Sequence, residues 1–347
     1  MKISDIFAPL AHTGFGSVCR FTQRSTLRTA RHGVLAMGVM LTLPWASNAM
    51  AAFPEKEVTI LVNYGAGGSV DRVARSVQAY LPAALGQGVV VQNIGGANGK
   101  IGMKKFMEMP ADGYTVLAAF APATTLLKFQ DPKLFDMKDL AIINVQWVDP
   151  GILLANKSTG WKNLSDLVTA AKAAPGKVTL AESGAGSVGT ILAKDLFKQL
   201  DIDVKMVPYR GGGEARKAFL GGETQLTAAG AEGAEGIEDS AVALGMFWPE
   251  KISAWPDAKP MNAQLGRTDL PEGGAYRFFA VKTEFKQKYP ERFARLVKAF
   301  EQVVTKTPEF KAMADKSGVG TDWTGPEKGQ ALIEKVDASF TKMLKNN

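Results

Sequence analysis

The stretch from Val58 to Leu85, VTILVNYGAGGSVDRVARSVQAYLPAAL, constrains the fold most, because it strings a strand, a glycine turn and a helix together without a break. Val58 to Val62 is an apolar, β-branched run of strand length. Gly65, Gly67 and Gly68 make the turn. Ser69 is placed to cap a helix whose Val70, Val73, Ala74, Val77 and Leu81 recur at spacings of three and four. Amides at a helix start lack intrahelical partners and sit at the positive end of the helix dipole, and glycines let a ligand approach them. Such a junction suits an anion, yet it is also simply how α/β chains turn. Recurrence is what separates the two readings.

The device recurs three times. Gly88 to Gln92 reads as a strand running into NIGGANGKIG, with glycines at 95, 96, 99 and 102 and with Ile101, Phe106 and Met107 suited to a following helix. Lys177 to Ala181 delivers ESGAGSVGT, where Gly184, Gly186 and Gly189 alternate with Ser183, Ser187 and Thr190 ahead of a helix bearing Ile191, Leu192, Leu196 and Leu200. Val204 to Val207 enters PYRGGGEARKAFLGG, the one copy with an arginine, Arg210, directly before its glycines. Between the second and third copies lie a strand at Tyr114 to Phe120, hydroxyls at Thr124 and Thr125, and a long apolar stretch from Ala141 to Ala155 broken by Asp149 and Pro150. We read the end of that stretch as a crossing between domains. Further strands are expected at Gln225 to Ala229, Val242 to Phe247 and Arg277 to Val281. Three helices, each with a proline near its start, complete the chain at Pro290 to Lys306, Pro308 to Lys316 and Pro326 to Leu344.

The N-terminus reads differently. Arg20, Arg24, Arg28 and Arg31 precede an apolar segment, Gly33 to Leu43, followed by small residues ending Ala49, Met50, Ala51, the pattern of a secretory signal peptide cleaved near Ala51. The apolar segment is about half the roughly 20 residues that span a bilayer, which argues against a membrane anchor. Both histidines, His12 and His32, and the single cysteine, Cys19, fall in this segment. The mature chain therefore has no Ser-His-Asp triad, thiol nucleophile, disulfide or His-ligated metal site, and Lys, Asp, Glu and Tyr are its remaining acid-base groups. It keeps 36 basic against 33 acidic residues, too even a balance for a nucleic-acid binder. It is expected to be exported to the periplasm and soluble, with no cofactor and no metal.

Alternating strands and helices predict an α/β fold with mostly parallel sheets, helices on both faces and a ligand cleft between two domains, since such sheets bind at the carboxyl ends of their strands. The expected division is 52–154 plus 276–347 for the first domain and 155–275 for the second. Two junctions precede the crossing and two follow it, so four positive helix starts can surround one cleft.

The segments FPEKEVTILVNYGAGGSVDRVAR, VVVQNIGGANGKIG, DGYTVL, NLSDLVTAAKAAPGKV, ESGAGSVGTILAKDLF and VPYRGGGEARKAFLGGETQL, in this order behind an export signal, resemble the substrate-binding proteins of tripartite tricarboxylate transporters, the Bug family. The resemblance implies a two-domain, Venus-flytrap periplasmic binding protein of the type II-like class. Such a protein, not an enzyme, closes over a small organic carboxylate and delivers it, as a monomer, to the large and small membrane components of a permease driven by an ion gradient. In the family, backbone amides, hydroxyls and water hold the ligand carboxylate. Carried over by motif, the first loop gives Gly67, Gly68, Ser69 and Asp71, with Tyr64 beside it, and the second gives Asn93, Gly95, Ala97 and Gly99. The third gives Ser183, Gly184, Gly186, Ser187 and Thr190, and the fourth Tyr209, Arg210 and Gly211. The chain departs from the family pattern at Asn63, Tyr64 and Ile94, and after Leu226 in FWPEKISAWPDAKP and YRFFAVKTEFKQKYPERF.

Several of these residues have plain structural alternatives. Asp71 suits the first turn of a helix as an acid, and Ser69, Ser187 and Thr190 suit helix caps. Arg210 is either a carboxylate fork or a surface residue. Tyr64 and Tyr209 are either pocket walls or packing, and Trp248 and Trp255 either stack on a ligand or pack. An exported enzyme working on a small acid in the same cleft would need close ionisable pairs, such as Asp71 with Lys100 or Glu182 with Arg210. A sensor for a membrane receptor would share the closing cleft.

Overall fold

The computed structural model describes residues 53–346; the expected signal peptide and its cleavage near Ala51, with Cys19, His12 and His32, lie outside the described residues. The first junction forms as its pattern predicts. β1 (Val58–Val62) is almost wholly buried, and α1 (Ser69–Gln78) turns Val70, Val73, Ala74 and Val77 onto the core. Leu81 belongs instead to a separate short helix, α2 (Leu81–Leu85), closed by Gly86 in the left-handed region. Ser69 does not cap α1. Gly68 holds the N-cap position and no side chain caps the helix there.

β2 (Val89–Asn93) and α3 (Lys100–Glu108) follow, with Phe106 buried and Ile101 in solvent rather than in the core. Next come β3 (Thr115–Ala121), α4 (Ala123–Gln130) and β4 (Leu140–Asn156). The expected break at Asp149 and Pro150 is absent, and β4 runs as one strand of 17 residues. Beyond it lie α5 (Leu164–Ala173), β5 (Val178–Glu182), α6 (Val188–Gln199), β6 (Val204–Pro208), α7 (Gly212–Leu220), β7 (Leu226–Gly230), β8 (Ala241–Met246) and α8 (Met261–Leu265). The chain ends with β9 (Gly274–Lys282), α9 (Thr283–Lys288), α10 (Pro290–Lys306), α11 (Pro308–Ser317) and α12 (Gly325–Asn346).

β4 explains the architecture. Its first part, Leu140–Pro150, pairs antiparallel with β9 in a sheet ordered β2-β1-β3-β9-β4. From Gly151 it pairs with β7, and from Ile152 with β8, in a second sheet that continues through β5 to β6. One strand thus passes from sheet to sheet at Pro150 and Gly151. Parallel ladders join β1 to β2 and β3, and β5 to β6 and β7, as strand-helix alternation requires. The ladders around β4 and β9 are antiparallel, so the sheets are mixed where parallel pairing was expected to dominate. The reason is that β4 and β9 are connections returning between the sheets, not members of strand-helix-strand units.

Candidate functional site

A cavity of about 760 Å³ opens between the two sheets beside the β4 crossing, a volume suited to a small-molecule ligand. The start of α1 (Gly67, Gly68 and Ser69), the start of α7 (Gly212 and Gly213) and Ser183 at the end of β5 all line it. Three of the four glycine junctions therefore meet at one space. The amides of the first helical turns supply partial positive charge there.

The second junction stands behind the first. Asn93 donates from Nδ2 to Asp71 Oδ1 (2.9 Å) and to the Tyr64 carbonyl (3.3 Å), and accepts from Arg75 Nη2 (3.0 Å). A side chain at Gly95 would press on the Gly65 amide, 3.0 Å from its Cβ, so glycine there lets the two loops touch. Gly99 receives Asn63 Nδ2 on its carbonyl at 3.4 Å, and Ala97 sits at a positive φ of 47° in the same turn. None of Asn93, Gly95, Ala97 and Gly99 lines the cavity.

Asp71 ties these loops together. Its buried carboxylate accepts from the Gly67 amide (2.8 Å), from Arg75 Nε (3.0 Å) and from Asn93. Burial pushes its pKa up, but Arg75, the Gly67 amide and Asn93 together outweigh that and hold it below the usual aspartate value. Arg75 is half exposed, so its through-space attraction is screened by solvent and it acts chiefly through its hydrogen bond to Asp71. Asp71→Ala is expected to cost about 1–3 kcal/mol at pH 7. A depressed native pKa means this stability is present above about pH 4, the unfolded value, and is lost as pH falls through the native value. Urea midpoints at pH 7 and pH 3 check this: wild type should lose more on acidification than Asp71→Ala, and equal losses would refute it.

Of the third and fourth junctions, Ser183, Gly212 and Gly213 line the cavity. Ser187 is the N-cap of α6, its Oγ accepting from the Thr190 amide at 3.2 Å and donating to Thr190 Oγ1 at 2.8 Å. A Cβ at Gly186 would lie 3.3 Å from Leu126 of α4, and Gly184 takes a φ of 113° to make the turn. Tyr209 bonds Glu223 through its hydroxyl (3.2 Å), Arg210 is exposed with its amide on Glu214 (3.2 Å), and Gly211 is the N-cap of α7. These residues and Tyr64, packed on Phe120 at 5.1 Å between ring centroids, stand outside the cavity wall. Trp255 is buried with its indole on the Ala231 carbonyl (2.9 Å), and Trp248 packs on Tyr276. Lys100 pairs with Asp131 and Glu182 with Lys194, in place of the pairings of Asp71 with Lys100 and Glu182 with Arg210.

The charged part of the wall comes from residues outside the ligand set carried over by motif: Arg72, Asp149, Arg216 and Arg277, with Trp147. Register builds it. Trp147 lies directly across from Arg277 in the β4–β9 ladder, after a bulge at Gln146, and Asp149 is two residues further along the same face. Arg277 Nη2 donates to Asp149 Oδ2 at 3.4 Å, its guanidinium carbon stands 3.8 Å from the Trp147 ring centroid, and Asp149 Oδ1 accepts the Glu232 amide at 2.9 Å. Trp147 Nε1 donates to Glu232. Burial pushes Asp149 up and Arg277 down, and each is opposed by the other's charge. Arginine starts so far above neutrality that the guanidinium stays charged. The available signal was the one acid of β4, Asp149, and a base, Arg277, directly ahead of the apolar run FFAV of β9.

Residues 73–321 match the profile described as tripartite tricarboxylate transporter family receptor. The chain belongs to this family. Protein BugT of Bordetella pertussis is 31% identical over 66% of this receptor chain and 71% of its own length. A UPF0065 protein of Agrobacterium vitis is 30% identical over 59% of this chain, which spans 61% of that relative. Among solved structures, a TctC solute binding protein from Polaromonas superposes with a TM-score of 0.70 at 20% identity, covering 85% of this chain and 100% of that one. MatC from Rhodopseudomonas palustris with bound malate gives 0.69 at 22% identity over 84% and 100%. A further R. palustris protein with adipate gives 0.67 at 19% identity over 84% and 97%. These likenesses show that the receptor has the two-domain fold of periplasmic binding proteins.

Proposed function

We propose that this receptor is a periplasmic solute-binding protein that captures a small organic carboxylate between its two domains and delivers it to the two membrane components of an ion-gradient-driven tripartite permease. The observation that carries the reading is the meeting of the α1 start, the α7 start and Ser183 at one cavity from two sheets. Amides from both sides hold an anion reversibly, and no acid-base chemistry is required of them. Malate and adipate in the structural neighbours support a carboxylate as the ligand class. Sheet membership supports hinges at Pro150–Gly151 and Gly273–Gly274, close to the division of 52–154 plus 276–347 against 155–275. The protein acts as a monomer, without metal or cofactor.

Thermal melting of refolded, ligand-free protein against a panel of aliphatic diacids, hydroxy acids and aromatic acids tests this. An acid present at about 100 times its Kd stabilises the native state by ~2.7 kcal/mol, which raises Tm by roughly 4 °C in a chain of this size. No shift with any acid would overturn the reading.

A further inference from the structure

Arg277 holds donors that the protein itself does not use. The residue is 7% exposed and lines the cavity, yet of its three guanidinium nitrogens only Nη2 has a hydrogen-bond partner, Asp149 Oδ2 at 3.4 Å; Nε and Nη1 have none. A buried donor left unpaired costs its full desolvation, and more when it is charged. Asp149 balances the charge and the Trp147 face covers the guanidinium plane at 3.8 Å, but neither satisfies the remaining in-plane N–H groups.

Guanidinium geometry makes these donors useful. Nη2 shares one edge with Nε and the other with Nη1, each edge offering two parallel N–H bonds. Whichever Nη2 proton Asp149 takes, one complete edge remains. The cavity's other arginines are placed differently: Arg216 gives Nη1 and Nη2 to the carbonyls of Gly233 (3.2 Å) and Glu235 (2.7 Å), and Arg72, an exposed side chain that water can satisfy, gives Nη1 to the Ser317 carbonyl (3.2 Å).

Resting on the carboxylate-receptor reading above, we propose that Arg277 is a direct, charged anchor for a ligand carboxylate, which docks on the guanidinium edge that Asp149 leaves free. Trp147 and Asp149 position that edge without touching the ligand. Recognition then depends on a fixed positive charge of defined shape as well as on the helix amides, and Lys cannot replace Arg277 because an ammonium has no fork.

The test is calorimetric titration of wild type, Arg277→Lys and Arg295→Lys with the acid that gives the largest melting shift; Arg295 stands outside the cavity, its Nη2 on the carbonyls of Ala84 (2.7 Å) and Leu85 (3.2 Å). Arg277→Lys keeps a charge opposite Asp149; its affinity is expected to fall by at least about 10-fold while Arg295→Lys changes by less than about threefold. An Arg277→Lys variant that melts like ligand-free wild type but binds with wild-type affinity overturns the inference and leaves the receptor reading standing. Absence of binding by wild type to every acid removes the reading itself. Should Arg277→Lys not fold, a crystal structure of wild type with the bound acid decides. Carboxylate oxygens on the Arg277 edge support the anchor, and an acid in the cavity with no oxygen in hydrogen-bonding reach of Arg277 overturns it.

Discussion

Asp149→Ala is expected to destabilise the protein by about 3–5 kcal/mol, because it removes one partner of a buried charge pair and leaves the other behind. Asp149 is 1% exposed and Arg277 7%, so neither charge can turn to bulk water when its partner goes. The variant also orphans the Glu232 amide, which now donates to Asp149 Oδ1. Asp149→Asn keeps an acceptor for that amide and loses only the charge, so it should cost less. The double variant Asp149→Ala/Arg277→Met is expected to be more stable than Asp149→Ala alone, since apolar groups carry no desolvation penalty. Urea unfolding with unchanged m-values measures all three. A loss below about 1 kcal/mol for Asp149→Ala would mean that the pair is weakly coupled to the fold.

The same pair shows where the sequence was legible and where it was not. Strand and helix positions followed from local pattern. The run of β-branched residues at Val58–Val62 and the helical spacing of Val70, Val73, Ala74 and Val77 both fold as read, because burial of one face is a short-range property of the chain. Ile101, Phe106 and Met107 lie in α3 as read, but Ile101 meets solvent while Phe106 is buried, because periodicity over so short a helix cannot say which apolar residue points outward.

Asp149 and Pro150 looked like a break in an apolar run. What they mark is the point where one strand changes sheets, and Pro150 is tolerated because β4 exchanges partners there. That is tertiary information. Arg277 likewise stood in plain view at the head of RFFAV, but its meaning depends on the residue across the ladder, 130 positions earlier at Trp147, and on a bulge that sets the register. Residues within one loop can be grouped by sequence; residues joined by a ladder between distant strands cannot.

The glycines divide along the same line, and Gly189→Ala is expected to be the most damaging single-methyl addition to the junctions. In sequence Gly189 reads as one of the glycines of the third loop, ahead of its helix. In the structure it lies in the first turn of α6, where a Cβ would fall inside the van der Waals envelope of the Ala228 carbonyl on β7. Glycine is needed there so that helix and strand can touch. Backbone on both sides cannot give way as a flexible side chain would, which puts the cost at or above about 3 kcal/mol, the upper end of overpacking. Gly65 is the control. It has no heavy atom within 4 Å of a built Cβ and no positive φ, so Gly65→Ala should be neutral or stabilising by about 0.4–1 kcal/mol through the unfolded chain. Chemical denaturation of the two variants separates the roles: equal stabilities would mean that α6 shifts off β7 at no cost, and the close packing at the third junction would then lose its energetic meaning.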